Sequence, residues 1–253
     1  MSAPSTIDLA TLRAAFYGGE FYLEYLPTMQ LADGRCVGAE ALIRWGRPDG
    51  VVPPDHFIPV IENTPLSGVL TYWVIETVSK ELGGWLAAND DVHVSINVPP
   101  EVLGRGGLEY AAVKAGLGPF AHKLVMEITE RSIPDRIGLD ALNGYSDFGV
   151  RIALDDFGLH DANLLLMSRV RTDIIKTDKS FADSMLAAGP TDPRMQALIT
   201  FMRTNAFEVI VEGVETEAQR DFLRDAGIPM AQGWYFSPSL RAGDFQAFYY
   251  ANQ

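Results

Sequence analysis

Short apolar runs alternate with longer amphipathic stretches along most of the 253 residues. Continuous runs such as 124–126, 152–154 and 209–211 are typical of strands buried inside a parallel sheet. The longer stretches repeat apolar residues every three or four positions, which predicts helices packed against that sheet. The predicted strands cover residues 20–30, 36–45, 92–98, 123–128, 150–154, 173–176, 207–211 and 230–236. The predicted helices cover residues 6–16, 55–62, 66–88, 108–115, 135–147, 162–168, 192–204, 216–225 and 242–251.

The order of these elements predicts a barrel. Asp33-Gly34 is a strong turn signal between the first two strands, which indicates an antiparallel hairpin at the start. About eight strands alternating with helices over about 250 residues are typical of the (β/α)8 architecture. We therefore expect an α/β fold, a TIM-like (β/α)8 barrel with an antiparallel first strand. No repeat or linker divides the chain, so we expect one domain over residues 1–253, with 1–6 as a flexible tail.

Composition narrows the possible partners. The formal net charge is -13, with 33 acidic and 20 basic residues, which argues against binding DNA, RNA polymers or an anionic membrane surface. No apolar run is long enough to span a bilayer, and the N-terminus lacks a signal-peptide pattern. The single cysteine, Cys36, excludes an internal disulfide framework and a thiolate metal cluster. Together these features favour a cytoplasmic setting.

Polar side chains follow six successive apolar runs, at the point where each predicted strand ends. These residues are Asn97, Glu127, Asp155 with Asp156, Lys176, Glu212 and Gln232. The carboxyl ends of the strands of a parallel barrel meet at one rim, where active sites lie. A single charged residue at a strand end is unremarkable, and Asp155-Asp156 alone would fit a solvated turn. Six in succession are hard to explain by surface solvation.

The chemistry of this set indicates a site for hard cations. The candidate ligands are Glu40, Asn97, Glu127, Asp155 and Asp156. Oxygen ligands without histidine or cysteine favour Mg²⁺ or Mn²⁺. The four histidines show no HExxH or paired spacing, so a histidine zinc site is not expected. Two metals about 3.5–4 Å apart would suit attack by water on a phosphodiester. Lys176 could then orient the nucleophile or neutralise developing charge, and Glu212 could accept a proton or orient the water.

The second strand contributes three residues at a spacing of two. Glu40, Leu42 and Arg44 therefore lie on one face of that strand. A carboxylate, an apolar residue and an arginine could hold a metal, contact a base or ribose, and bind a phosphate. Arg44 could equally form a cross-strand ion pair, and the sequence leaves the two interpretations open.

These residues also match a known family. Glu40-Ala41-Leu42-Ile43-Arg44-Trp45 resembles the signature of the EAL domain, the cyclic di-GMP phosphodiesterase family. The further matching motifs are Pro53, Phe57-Ile58-Pro59, Glu62, Ser95-Ile96-Asn97, Glu127-Ile128-Thr129-Glu130, Asp155-Asp156-Phe157-Gly158, Lys176-Thr177-Asp178, Ser180-Phe181, Glu212-Gly213-Val214-Glu215 and Gln232-Gly233. The resemblance covers about residues 8 to 250, and the ordered set is highly specific.

The resemblance implies a TIM-like barrel that opens cyclic di-GMP to linear pGpG with two Mg²⁺ or Mn²⁺ ions per active site. By motif position it implies Glu40, Asn97, Glu127 and Asp155 as ligands of one metal, and Asp155 with Asp156 for the second. It implies Lys176 and Glu212 as the residues that activate water. It implies Leu42, Arg44 and Gln232 at the substrate, with Glu130, Asp178 and Glu215 in support. It also implies that the chain can form a homodimer.

Three positions depart from the family pattern. The loop 159–163, which in the family couples metal binding to the dimer contact, has a different sequence here. Leu26 replaces a frequent glutamine, and Val98-Pro99-Pro100 replaces the usual serine after Asn97. The first two changes motivate an alternative, a catalytically weak or inactive cyclic di-GMP receptor or interaction module. A glycosidase with two carboxylates is a third hypothesis, but Asn97 and Lys176 have no place in it. We expect Glu40→Ala to abolish turnover with much less effect on folding, because Glu40 would face the rim.

Overall fold

The structure is a computed structural model that describes residues 7–129, 134–157, 167–177, 193–205 and 207–253, with positions 179, 180, 183, 187 and 189. The strands are β1 Phe21–Gln30, β2 Cys36–Arg47, β3 Gly50–Val52, β4 His93–Asn97, β5 Leu124–Thr129, β6 Arg151–Asp155, β7 Ile174–Thr177, β8 Glu208–Val211 and β9 Met230–Ala231. The helices are α1 Leu9–Tyr17, α2 Pro54–Ile61, α3 Pro65–Ala88, α4 Gly107–Lys114, α5 Arg136–Asp147, α6 Pro193–Asn205, α7 Glu217–Asp225 and α8 Ala242–Ala251.

The strands close into a barrel. Their order is β1-β9-β8-β7-β6-β5-β4-β2, and pairing between β1 and β2 closes the ring. β1 runs antiparallel to both of its neighbours, whereas β2 and β4 to β9 pair in parallel. This confirms the predicted TIM-like (β/α)8 barrel with an antiparallel first strand. β3 pairs with β2 outside the ring.

Two strands differ from the sequence prediction. The segment 50–52, which lies in none of the predicted strands or helices, pairs with β2 as β3. The last strand ends at Ala231 instead of continuing to 236, because the backbone turns at Gly233, where φ is 151°. The predicted tail 1–6 and most of the predicted helix 162–168 lie outside the described residues.

Side chains inside the barrel form layers. The lower layer is an apolar cluster of Val125, Ala153, Ile174, Ile210 and Met230. Because side chains two apart on a strand share a face, the residues two positions further along form the next layer. That layer consists of Glu127, Asp155, Lys176, Glu212 and Gln232. The closed barrel therefore gathers polar residues of five strands on top of an apolar floor.

The outer face of the strands packs against the helices. Trp85 of α3 contacts Phe245 and Tyr249 of α8 edge to face, with ring centroids 5.2 and 5.0 Å apart. Among the helices of the described ranges, none has the length and apolar character needed to cross a membrane.

Candidate active site

Lys176 is the centre of the polar layer. Its side chain is 1% exposed, and its Nζ lies 2.8 Å from Glu40 Oε2, 2.8 Å from Glu127 Oε2 and 2.6 Å from Glu212 Oε1. Asp155 Oδ1 is 3.9 Å away. Since these residues come from β2, β5, β6, β7 and the end of β8, closure of the barrel brings them together. One ammonium therefore faces four carboxyl groups.

The excess of carboxyl groups changes their affinity for protons. Burial and the charge of Glu40 hold the pKa of Glu127 well above its ordinary value. Burial raises the pKa of Asp155, and it raises the pKa of Glu212 to about 7, although the Lys176 ammonium opposes both changes. For Glu40 burial acts in the same direction, but the contacts with Lys176 and Asn97 outweigh it and lower the pKa. Burial disfavours the Lys176 ammonium, yet the carboxylates raise its pKa well above the ordinary value.

The upper edge of this cluster is formed by Asn97 and Asp156. The amide of exposed Asn97 donates a hydrogen bond of 2.9 Å to Glu40 Oε1. The backbone N–H of Asp156 donates to Asp155 Oδ1 at 2.8 Å, and Asp156 has a left-handed φ of 52°. A non-glycine residue in this region is strained, and such strain is concentrated at functional sites. The turn separates the two neighbouring carboxylates, and Asp156 lines the cavity above the cluster.

The donor set fits hard divalent cations. Among the described residues, Glu127 Oε1 is buried without a hydrogen-bond partner, and Lys176 supplies the one ammonium for four carboxyl groups, which leaves them undercompensated. Carboxylate and amide oxygens are the ligands that Mg²⁺ and Mn²⁺ prefer. In the part of the chain that the structure describes, no three His, Cys, Asp or Glu side chains form a ready-made metal cluster. The Lys176 ammonium lies among the candidate ligands, so metal entry requires them to rearrange around it.

A cavity of about 480 Å³ opens beside this cluster. Its lining includes Leu42 and Arg44 as well as Asn97, Glu127 and Asp156. Arg44 donates from Nε to Glu24 Oε2 at 2.9 Å and from Nη2 to Ser239 Oγ at 3.1 Å. The cross-strand ion pair that the sequence left open is therefore present. Arg44 lies at the cavity wall at the same time, so the two interpretations are compatible.

The remaining predicted residues lie further from the centre. Gln232 is 1% exposed and donates from Nε2 to Thr28 Oγ1 at 2.9 Å. Its Oε1 is buried and has no partner within the ranges that the structure describes. Glu215 lies at the surface, where its Oε2 is 3.0 Å from the Lys179 ammonium. Glu130 and Asp178 lie outside the described residues, as does most of the loop 159–163.

The expectation that Glu40 faces the rim is wrong. Its side chain is buried, with 6% exposed, and both of its oxygens have partners in Lys176 and Asn97. Removing it would therefore change the packing and charge of the barrel interior as well as the site.

Sequence reasoning missed several residues at the site. Glu24 and Ser239 hold Arg44, and Ser239 also donates to Glu24 Oε2 at 2.6 Å. Glu24 precedes Leu26 by two positions and is paired with Leu42 across the hairpin. Alternation along β1 could therefore have placed Glu24 on the face of Arg44. Ser239, 195 positions after Arg44, leaves no such signal.

Comparisons with known proteins agree with this geometry. The family model described as "EAL domain" matches residues 9–239. The chain is 33% identical over 244 residues to the "Probable cyclic di-GMP phosphodiesterase PdeB" of Escherichia coli K12, covering 92% of this chain and 45% of PdeB. The chain thus spans less than half the length of that relative.

Two solved structures have the same fold. The cAMP- and cyclic-di-GMP-bound form of the "EAL Enzyme Bd1971" superposes with a TM-score of 0.86 at 29% identity, covering 95% of this chain and 67% of that one. The cyclic di-GMP complex of the "PaMucR Phosphodiesterase" has a TM-score of 0.81 at 29% identity, covering 94% and 98%. Two of the similar proteins are thus named phosphodiesterases, and both solved structures hold cyclic di-GMP.

Proposed function

This chain belongs to the EAL domain family, and we propose that it is a metal-dependent phosphodiesterase that opens cyclic di-GMP to linear pGpG. The supporting observation is the convergence of Glu40, Glu127, Asp155 and Glu212 on the buried Lys176 ammonium beside an open cavity. Burying so many ionisable groups together is costly and contributes little to stability, so their concentration at a cavity indicates chemistry.

The residues that would hold two Mg²⁺ or Mn²⁺ ions are Glu40, Asn97, Glu127, Asp155 and Asp156. When bound, such ions lower the pKa of a water molecule and stabilise negative charge on phosphate oxygens. Their positive charge would also balance the carboxylates that Lys176 alone leaves undercompensated.

The protein's own groups bind the diester and move protons. Arg44, held by Glu24 and Ser239, presents its guanidinium at the cavity wall for a phosphate oxygen. Glu212, with a pKa raised to about 7 by burial, is suited to take a proton from the attacking water near neutral pH. The water oxygen bonds to phosphorus as the bond to the 3′-oxygen breaks, and that oxygen takes a proton from solvent. Lys176 holds Glu212 in place and stabilises the growing negative charge.

The test is turnover. Purified protein is incubated with cyclic di-GMP and Mg²⁺ or Mn²⁺, and pGpG is followed by chromatography over a range of protein concentrations. We expect pGpG from the wild type and a loss of at least about 100-fold for Lys176→Met, since a preorganised charge is removed. Lys114→Met, which removes an exposed lysine of α4, is the matched control. Absence of pGpG with either metal would overturn the proposal, and a dependence of specific activity on protein concentration would support the predicted homodimer.

A cyclic di-GMP receptor without turnover is the alternative. Leu26 pairs with Glu40 in the register of β1 and β2, so an apolar side chain stands where a polar substrate contact is frequent in the family. Calorimetric binding of cyclic di-GMP without product would support this alternative.

A further inference from the structure

The cavity beside the carboxylate cluster has a mixed polar and apolar lining. Arg44, Asn97, Glu127 and Asp156 are among its polar residues, and Glu127 contacts Lys176. Further side chains of the lining are the apolar Ile58, Leu70, Val74 and Pro99. Its volume of about 480 Å³ lies in the range of small-molecule sites, about 300–1,000 Å³. A ligand that carries both charged phosphates and flat bases would match this lining.

Glu101, a carboxylate outside the metal cluster, also lines this cavity. Glu101 lies in the 3-10 turn Pro100–Val102 that follows β4. Its Oε1 accepts two hydrogen bonds, one of 2.8 Å from the backbone N–H of Asn63 and one of 2.7 Å from Ser67 Oγ. Ser67 is 3% exposed, and Asn63 has a left-handed φ of 58°. The turn between α2 and α3 therefore fixes the Glu101 carboxylate by one of its two oxygens.

The other oxygen of Glu101 has no such role. Across the described ranges, with their gaps, Oε2 takes part in no hydrogen bond or ion pair, although a carboxylate oxygen accepts up to two. An anchored carboxylate with one unused oxygen on a ligand cavity is suited to receive hydrogen bonds from a donor group. A phosphate would be repelled by it.

We propose that Glu101 is a specificity-determining residue that accepts hydrogen bonds from the guanine base of the substrate. The inference rests on the proposed function. Guanine presents two adjacent donors on its pairing edge, the N1–H and the exocyclic amino group, whereas adenine has an acceptor at N1. A carboxylate, which only accepts, pairs with the first pattern and opposes the second. Glu101 therefore selects guanine over adenine.

Glu101→Gln tests base recognition while keeping the hydrogen bonds that anchor the side chain. The glutamine carbonyl oxygen can still accept the hydrogen bonds of Asn63 and Ser67, so the anchor is kept. The NH2 of the glutamine side-chain amide then replaces the unused oxygen. It is a donor, so it cannot accept hydrogen bonds from guanine. Asp55→Asn is the matched control, because Asp55 is an exposed carboxylate of the same cavity lining and loses the same charge.

The experiment compares KM and kcat for cyclic di-GMP and for cyclic di-AMP in the wild type and both variants. We expect Glu101→Gln to raise KM for cyclic di-GMP about 10- to 100-fold, because the guanine donors lose their acceptor and face other donors, with kcat nearly unchanged. The preference for cyclic di-GMP over cyclic di-AMP should fall by a similar factor. Asp55→Asn should leave the preference as in the wild type.

An unchanged preference in Glu101→Gln, or an equal fall in Asp55→Asn, would overturn the inference. A folding defect would lower turnover of both dinucleotides alike, so the ratio between them still tests base recognition. If the wild type gives no pGpG, the proposed function fails separately. The same variants are then compared by calorimetric binding of both dinucleotides, where the same loss of guanine preference is expected.

Discussion

Lys176 shows how one residue can determine the character of the site. Its ammonium is enclosed by the carboxyl groups of Glu40, Glu127 and Glu212, with Asp155 slightly further away. Because these acids outnumber the cation, some of them hold their protons in the folded protein far above the ordinary range. We therefore expect these carboxyl groups to make the free energy of unfolding depend on pH.

Glu212→Gln should change this dependence. In the folded protein without metal, burial raises the pKa of Glu212 from 4.5 to about 7. Between these values the folded state binds more protons than the unfolded state, so the free energy of unfolding falls as pH rises through this window. Glutamine cannot ionise, so we expect the free energy of unfolding of Glu212→Gln to fall less steeply between pH 5 and pH 7.5. Urea titrations with a chelator present are the measurement. Glu217→Gln, an exposed change on α7, should keep the wild-type slope. Parallel slopes for all three proteins would contradict the assignment.

The charged residues at the centre of the site were predictable from the sequence. The hydrogen-bond partners that hold the surrounding residues were not. Glu127, Asp155, Lys176 and Glu212 follow buried apolar runs directly, and a parallel barrel brings such strand ends to one place. The hydrogen bond of Gln232 with Thr28 depends instead on how the last strand meets the first across 204 positions. Sequence patterns are local, so they carry no signal for such a contact.

At the scale of elements, the short connection after β9 holds part of the site. Val214 N–H donates to Gln232 O, and Tyr235 N–H donates to Val214 O, so the segments after β8 and β9 are tied together around Gly233. This close approach also ends the last strand early. The sequence suggested a longer strand because residues 234–236 are aromatic, and aromatic residues favour strands in general. The glycine and its tertiary neighbours outweigh that preference.

Gly233→Ala should destabilise the protein and disturb the site. A Cβ at this position would lie 2.2 Å from Val214 O, and the φ of 151° is unfavourable for any other residue. We expect a loss of roughly 2–4 kcal/mol in the free energy of unfolding, from backbone strain and steric overlap together. Turnover should fall as well, since Glu212 and Gln232 flank this contact.

Gly84→Ala is the control for Gly233→Ala, with the opposite sign. Gly84 is an exposed position inside α3, and a Cβ there would meet nothing within 4 Å. We expect a gain of about 0.5–1 kcal/mol, because alanine favours helix more than glycine does. Urea unfolding of both variants is the measurement. Equal effects at the two positions would show that the backbone contact of Gly233 is unimportant.

At the scale of the whole molecule, the net negative charge of the chain and the carboxylates clustered around Lys176 respond differently to salt. The chain carries a formal net charge of -13. Any dissolved salt screens the repulsion between the exposed charges. Around Lys176, Glu40 and Glu127 are buried and Asp155 and Glu212 are partly buried, and such charges are screened much less. Divalent ions should therefore stabilise the protein in a way that monovalent salt does not.

We expect Mg²⁺ or Mn²⁺ at about 100 times its dissociation constant to add about 2.7 kcal/mol of stability, because a ligand of the folded state shifts the equilibrium by mass action. For a domain of this size that corresponds to a rise in Tm of roughly 5–10 °C. KCl at the same ionic strength should give a much smaller rise, since it only screens. Glu40→Gln keeps an oxygen for the Asn97 amide but removes one charge from the cluster, so it should lose most of the effect. An equal rise with KCl, or an undiminished rise in Glu40→Gln, would place the effect of the divalent ions on the surface and away from the barrel carboxylates.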